Sequence, residues 1–180
     1  SYLVGNKIRR LPSDHTLLGK ISLKEVVKKS SNRGAAQLGI NLGSRRLYEY
    51  SKAFGFGSST DFGIGGERNG ILHKPRSWDG LTITRLPMGH AVSVTAMQIH
   101  QAMSAVANDG ILMKPRFIER IFDKDGKTVV SFESKPVRRV LSAGVADTLS
   151  KMLVSVVSAE GTARRAFIPG SVSYTHLTLP

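Results

Sequence analysis

Two helical segments meet at a polar corner, Ser30-Ser31-Asn32, and the signals on either side leave the chain little freedom in how it folds there. Ahead of the corner, Ile21 to Lys29 carries Ser22 and Glu25 as a Ser-x-x-Glu capping box, with Ile21 placed to staple onto Val26. Leu23, Val26 and Val27 form an apolar face, and Lys28 and Lys29 fall at the negative end of the helix dipole. Beyond the corner the period restarts over Arg33 to Leu42 with Ala35, Leu38 and Leu42, and Gly43 supplies a left-handed stop. Ser and Asn between helices serve as caps, so the corner alone has a purely structural explanation.

Further along, Ser44 is expected to cap a helix bearing Leu47, Tyr50 and Phe54 on one face and closed by Gly55. Residues 58–80 are rich in Gly, Ser and polar side chains, include Pro75, and read as loops. Thr95-x-x-Gln98 is a second capping box, opening a helix with Ile99, Met103 and Val106 that Gly110 ends. Met97 and Met103 read as core filler. Asp125-Gly126 lies between two β-rich runs, Phe117 to Phe122 and Val129 to Phe132, and predicts a hairpin. A final helix capped by Ser142 carries Val145, Leu149, Met152, Leu153 and Val156 as one stripe.

The 180 residues amount to one domain or a piece of a larger one, with 41% hydrophobic side chains, enough for a core. No apolar run reaches the roughly 18 residues of a membrane span, and no signal peptide is visible at Ser1. There is no cysteine, which excludes disulfides and thiolate metal sites. The five histidines, His15, His73, His90, His100 and His176, show no metal-ligand spacing. A formal net charge of +13 is dispersed as singles and pairs such as Arg9-Arg10, Lys28-Lys29 and Arg164-Arg165, not in a block. That pattern fits work beside an anionic membrane or wall polymer better than a nucleic-acid arm. Gly65-Gly66-Glu67-Arg68-Asn69-Gly70 continues Ile71-Leu72, not Lys-Ser, and is no phosphate loop. Trp78 reads as a packing residue.

A colinear series of landmarks joins the corner. It runs from Lys29-Ser30-Ser31-Asn32-Arg33-Gly34-Ala35 through Leu42-Gly43, Leu47-Tyr48-Glu49-Tyr50 and Ala53-Phe54-Gly55-Phe56-Gly57. It continues with Gly70-Ile71-Leu72, Trp78, Met88-Gly89-His90, Val94-Thr95 and Ala105-Val106-Ala107-Asn108-Asp109-Gly110, and ends with Glu160-Gly161-Thr162-Ala163 and Ile168-Pro169-Gly170. In this order they resemble the transpeptidase domain of penicillin-binding proteins, of class B and of its septal branch, since the elongation branch reads Ser-x-Asp at the corner.

The resemblance implies an α+β fold of the penicillin-binding-protein and serine β-lactamase type, present in part: most of the helical side with a β-hairpin. Residues 1–170 would be a partial transpeptidase domain. Residues 171–180 resemble translated sequencing adapter and are expected to be a non-native tail. The family uses Ser-x-x-Lys, Ser-x-Asn and Lys-Thr-Gly. Only the middle motif stands here: no serine lies three residues before a lysine, and the only Lys-Thr, Lys127-Thr128, is followed by Val129. The nucleophile is therefore expected outside this chain, and these residues alone are expected to be inactive.

By the same resemblance Ser30 and Asn32 are the catalytic candidates, with Asn32 and Ser31 expected to contact substrate. Ser30 would relay a proton from the family's lysine to the leaving amine. The Asn32 amide, which cannot titrate, would accept from that lysine and donate to a substrate carbonyl. Gly161-Thr162 would position a turn beside the cleft. The implied activity is peptidoglycan D,D-transpeptidation on D-Ala-D-Ala stem peptides with β-lactams as mimics, and no metal or organic cofactor. The parent would be membrane-anchored, facing the periplasm or exterior, with divisome membrane proteins as partners. A non-catalytic or carboxypeptidase-type relative and a basic nucleic-acid-binding module remain the alternatives.

Overall fold

The computed structural model describes residues 1–4, 6–63 and 65–168. Strands β1 (Tyr2–Val4) and β2 (Lys7–Arg9) pair antiparallel, and the Tyr2 hydroxyl donates to the Gly80 carbonyl at 3.0 Å. After an irregular stretch come helices α1 (Leu23–Lys28), α2 (Asn32–Leu42) and α3 (Ser44–Ala53). The long loop then holds a 3₁₀ turn at Pro75–Ser77 and leads into α4 (Thr82–Arg85) and a second 3₁₀ turn, Leu86–Met88. Helix α5 (Ala96–Ala107) is followed by β3 (Ile111–Met113), the hairpin β4 (Arg120–Phe122) and β5 (Thr128–Ser131), then β6 (Pro136–Arg139) and α6 (Ala143–Val156). β6 returns antiparallel to β3, so the β4–β5 hairpin is an excursion from that pair.

The core centres on α5, which packs on β3 and α6. Ala36 of α2, Ala105 of α5 and Ala146 of α6 have no exposed surface, and Leu112 of β3 is almost as deep. Small residues let the helices approach closely. At Gly39 an added Cβ would run into the Pro87 ring and stand 2.6 Å from the Ile83 carbonyl, so only glycine admits this contact between α2 and the α4 segment.

The expected α+β architecture, its caps at Ser22, Thr95 and Ser142 and its Asp125-Gly126 hairpin are all present. Three details differ. Ser44 does not cap α3: it is the first helical residue, and Gly43 takes the cap position without a side-chain bond at φ 82° and ψ 155°, a positive-φ extended turn that only glycine enters easily. Tyr50 faces solvent at 46% exposure while Leu47 is half-buried, so the apolar face of α3 is narrower than its spacing suggests. On α5 the buried face is Gln98, Gln101, Ala102, Ala105 and Val106, and Ile99 is 49% exposed. The face turned inward because both glutamines find partners: Gln98 donates to the Ser58 and Asn69 carbonyls at 2.6 and 2.8 Å, and Gln101 to that of Met113 at 2.7 Å.

Candidate active site

The α1–α2 corner is a Schellman turn with serine where glycine is usual. The Ser31 N–H reaches back to the Val26 carbonyl at 3.0 Å and the Ser30 N–H to that of Val27 at 3.1 Å. This places Ser30 in the left-handed position, at φ 51°. A residue with a Cβ is disfavoured there by about 1–2 kcal/mol. The hydroxyl thus sits at a strained, exposed site that the turn alone would fill better with glycine.

The turn Glu160–Thr162, which follows α6, clasps this corner. The hydroxyls of Ser30 and Thr162 lie 2.9 Å apart, and the Thr162 N–H donates to the Lys28 carbonyl at 3.3 Å. Lys28 Nζ donates to Glu160 Oε2 at 2.7 Å, and Lys29 Nζ to the Glu160 carbonyl at 2.8 Å. The hydrogen bond to Glu160 holds Lys28 above the usual lysine range, against the opposing effect of burial. The hydrogen bond and charge of Lys28, with the charge of Lys29, hold the Glu160 carboxyl below its ordinary value. Both ends are therefore ionised at neutral pH. The close backbone approach at Gly161, where a Cβ would collide with the Val156 carbonyl, explains glycine in this turn.

Ser31 and Asn32 face different surroundings. Ser31, 3% exposed, caps α2 by accepting the Gly34 N–H at 2.9 Å and donates to Asp14 Oδ2 at 2.7 Å. It is turned into the fold, whereas the resemblance implied a substrate contact. Burial pushes the Asp14 carboxyl up, but the Arg33 N–H, the Ser31 hydroxyl, the Asn32 N–H and the Arg33 charge outweigh it and leave it below its usual value. Asp14 is in effect a second cap on α2, and nothing local in the sequence announces it, because it stands 17 residues before Ser31. Asn32 is half-buried, and among the described residues its side-chain amide makes no hydrogen bond. The corner thus presents one hydroxyl, able to pass a proton, and one amide, able to donate and accept at once.

The model of the penicillin-binding protein transpeptidase domain matches residues 3–174. The chain belongs to this transpeptidase family. It is 36% identical over 151 residues to penicillin-binding protein PbpB of Mycolicibacterium smegmatis, a match covering 81% of this chain and 23% of that protein. To stage V sporulation protein D of Bacillus subtilis it is 37% identical over 147 residues, covering 81% and 23%. The transpeptidase fold is shared with the crystal structure of penicillin-binding protein 3 from Mycobacterium tuberculosis complexed with aztreonam, at TM-score 0.74 and 33% identity over 83% of this chain and 34% of that one. The transpeptidase domain of penicillin-binding protein 3 from Burkholderia pseudomallei matches at TM-score 0.75 and 27% identity, covering 87% and 45%. The chain thus spans about a quarter of the length of the curated relatives it matches.

Proposed function

We propose that in the whole protein this chain supplies the Ser-x-Asn corner of a serine D,D-transpeptidase that cross-links peptidoglycan stem peptides during septal wall synthesis and is acylated by β-lactams. The observation that carries the reading is Ser30, a serine held at φ 51° with its hydroxyl exposed, next to an asparagine whose amide makes no hydrogen bond among the described residues. Family membership supports it, as does the name of a relative, peptidoglycan D,D-transpeptidase FtsI of Buchnera aphidicola, 29% identical over 151 residues, 83% of this chain and 25% of that protein.

The nucleophilic serine of Ser-x-x-Lys attacks the D-Ala-D-Ala carbonyl, forming a C–O bond and passing its proton to the neighbouring lysine. Collapse breaks the C–N bond. The departing amine takes the Ser30 proton, and the lysine ammonium returns one to the same oxygen, so Ser30 stays neutral. Asn32 accepts a hydrogen bond from the lysine and donates to the substrate peptide carbonyl, holding both in register. An amine from a second stem then attacks the acyl-enzyme, forming the cross-link and returning the serine its proton. Ser31 works from behind, fixing the start of α2. A membrane anchor, an extracytoplasmic setting and divisome membrane partners belong to the same proposal.

Asn32→Ala in the whole protein is expected to slow acylation by labelled penicillin at least tenfold, the size of losing one positioned polar group. Unchanged acylation overturns the role given to Asn32. Residues 171–180 lie outside the described residues. We read them as non-native, and genomic DNA beyond Gly170 is expected to encode a strand leading into Lys-Thr-Gly in their place.

A further inference from the structure

The two hydroxyls at the corner share a proton budget that a single residue settles. Thr162 Oγ1 lies 2.9 Å from Ser30 Oγ and 3.5 Å from the Lys28 carbonyl. It has one proton. Donated to Lys28, it would make Ser30 the donor to Thr162 and tie up the Ser30 proton inside the corner. Donated to Ser30, it leaves the Ser30 proton directed at the open side. At 3.5 Å the Lys28 contact is at the outer limit of a hydrogen bond, while the shorter one is near the ordinary O–H···O length. The Lys28 carbonyl is in any case served by the Thr162 backbone N–H at 3.3 Å.

We propose that Thr162 is a positioning residue that donates its hydroxyl proton to Ser30 Oγ, and so keeps the Ser30 proton free for transfer to the leaving amine. The proposal rests on the proton-relay role given to Ser30 above. The rest of the turn serves the same end. Thr162 cannot drift, because the Gly161 N–H is bonded to the Ser158 carbonyl at 2.8 Å and the Ala163 N–H to that of Val156 at 3.0 Å, which roots the turn on the end of α6. From the other side, Glu160 holds Lys28 and Lys29 through its carboxylate and its carbonyl. Ser30 thus receives its donor from a residue 132 positions away, delivered by a turn that both helices hold.

Thr162→Val keeps the shape and removes the hydroxyl, whereas Thr162→Ser keeps the hydroxyl. In the whole protein the acylation rate constant for labelled penicillin is expected to fall about tenfold in Thr162→Val, with pre-acylation affinity within about twofold, and to return to within about threefold of wild type in Thr162→Ser. Amide hydrogen exchange, read on the same samples, is expected to quicken at residues 29–32 in Thr162→Val and to stay unchanged in α5, which separates a local effect from misfolding. Wild-type acylation in Thr162→Val, or equal loss in both variants, overturns the proposal. If the wild-type protein itself is not acylated, the function proposed above fails, and hydrogen exchange still decides the contact: unchanged exchange at residues 29–32 overturns the Thr162–Ser30 hydrogen bond as well.

Discussion

Ser30 occupies a position that favours glycine, and its hydroxyl lies 2.9 Å from that of Thr162. Replacing it separates the two. Both Ser30→Gly and Ser30→Ala lose the bond to Thr162, but only glycine relieves the left-handed backbone. Ser30→Gly is therefore expected to unfold at higher denaturant than Ser30→Ala, by about 1 kcal/mol, while both slow acylation. Ser31 is the converse case. Ser31→Ala removes the cap on Gly34 and the donor to Asp14, and is expected to cost about 1–2 kcal/mol in urea unfolding. Glu67 sets a pH dependence. Burial would raise its carboxyl, but the Ser59 and Thr60 hydroxyls and the N–H groups of Thr60 and Asp61 override it and pull it down to about 2 from 4.5. Its contribution is complete above the unfolded value and is lost as pH falls from 4.5 toward about 2. The neighbouring Asp61–Lys114 ion pair faces the same loop. Thermal midpoints measured from neutral to acid pH are expected to fall less steeply in Glu67→Gln than in wild type.

The elements were legible wherever a local rule acts alone. Thr95 and Gln98 form the reciprocal capping box as expected, and Asp125-Gly126 turns the hairpin, with Gly126 at φ 78°. What the pattern did not reveal is that Gln98 has two tasks. Its Oε1 accepts the Thr95 N–H at 3.0 Å while its amide bridges two carbonyls of the 58–69 loop, so the capping residue is also the buried peg that anchors the loop. Gln98→Leu would leave those carbonyls and the cap N–H without their partner and is expected to cost about 2–3 kcal/mol, measured by urea unfolding. Strands β1, β2, β3 and β6 were not foreseen, because three or four residues are too few to show alternation. Helix α4 is four residues long, too short for a period to show, and its first N–H groups, of Leu81 and Thr82, are met by Asp79 Oδ1 at 3.1 and 2.8 Å and not by the N-cap residue Leu81. At the α2–α4 contact, Gly39→Ala gains helix propensity of about 1 kcal/mol but overpacks against Pro87 and Ile83. The clash is with ring and backbone, which cannot swing aside, so a net loss of about 1–2 kcal/mol is expected.

Across the whole molecule, the site depends on joining the two ends of the described chain. Lys28 and Glu160 are 132 residues apart in sequence and their ion pair is intact in the middle of the pH range. The lowered Glu160 contributes stability above its ordinary carboxyl value that is lost as pH falls through the folded value, and the raised Lys28 contributes stability that is lost as pH climbs above the lysine range. The sequence alone specified the helices around the corner, the hairpin, the family likeness and the candidacy of Ser30 and Asn32, because caps and turn residues are local signals and motif order is written along the chain. Tertiary structure decided which way each corner residue faces. It turned Ser31 inward onto Asp14, left the Asn32 amide without a hydrogen bond among the described residues, and brought Thr162 to Ser30, since packing α1 against α6 is what closes the distance between residues that no local pattern relates.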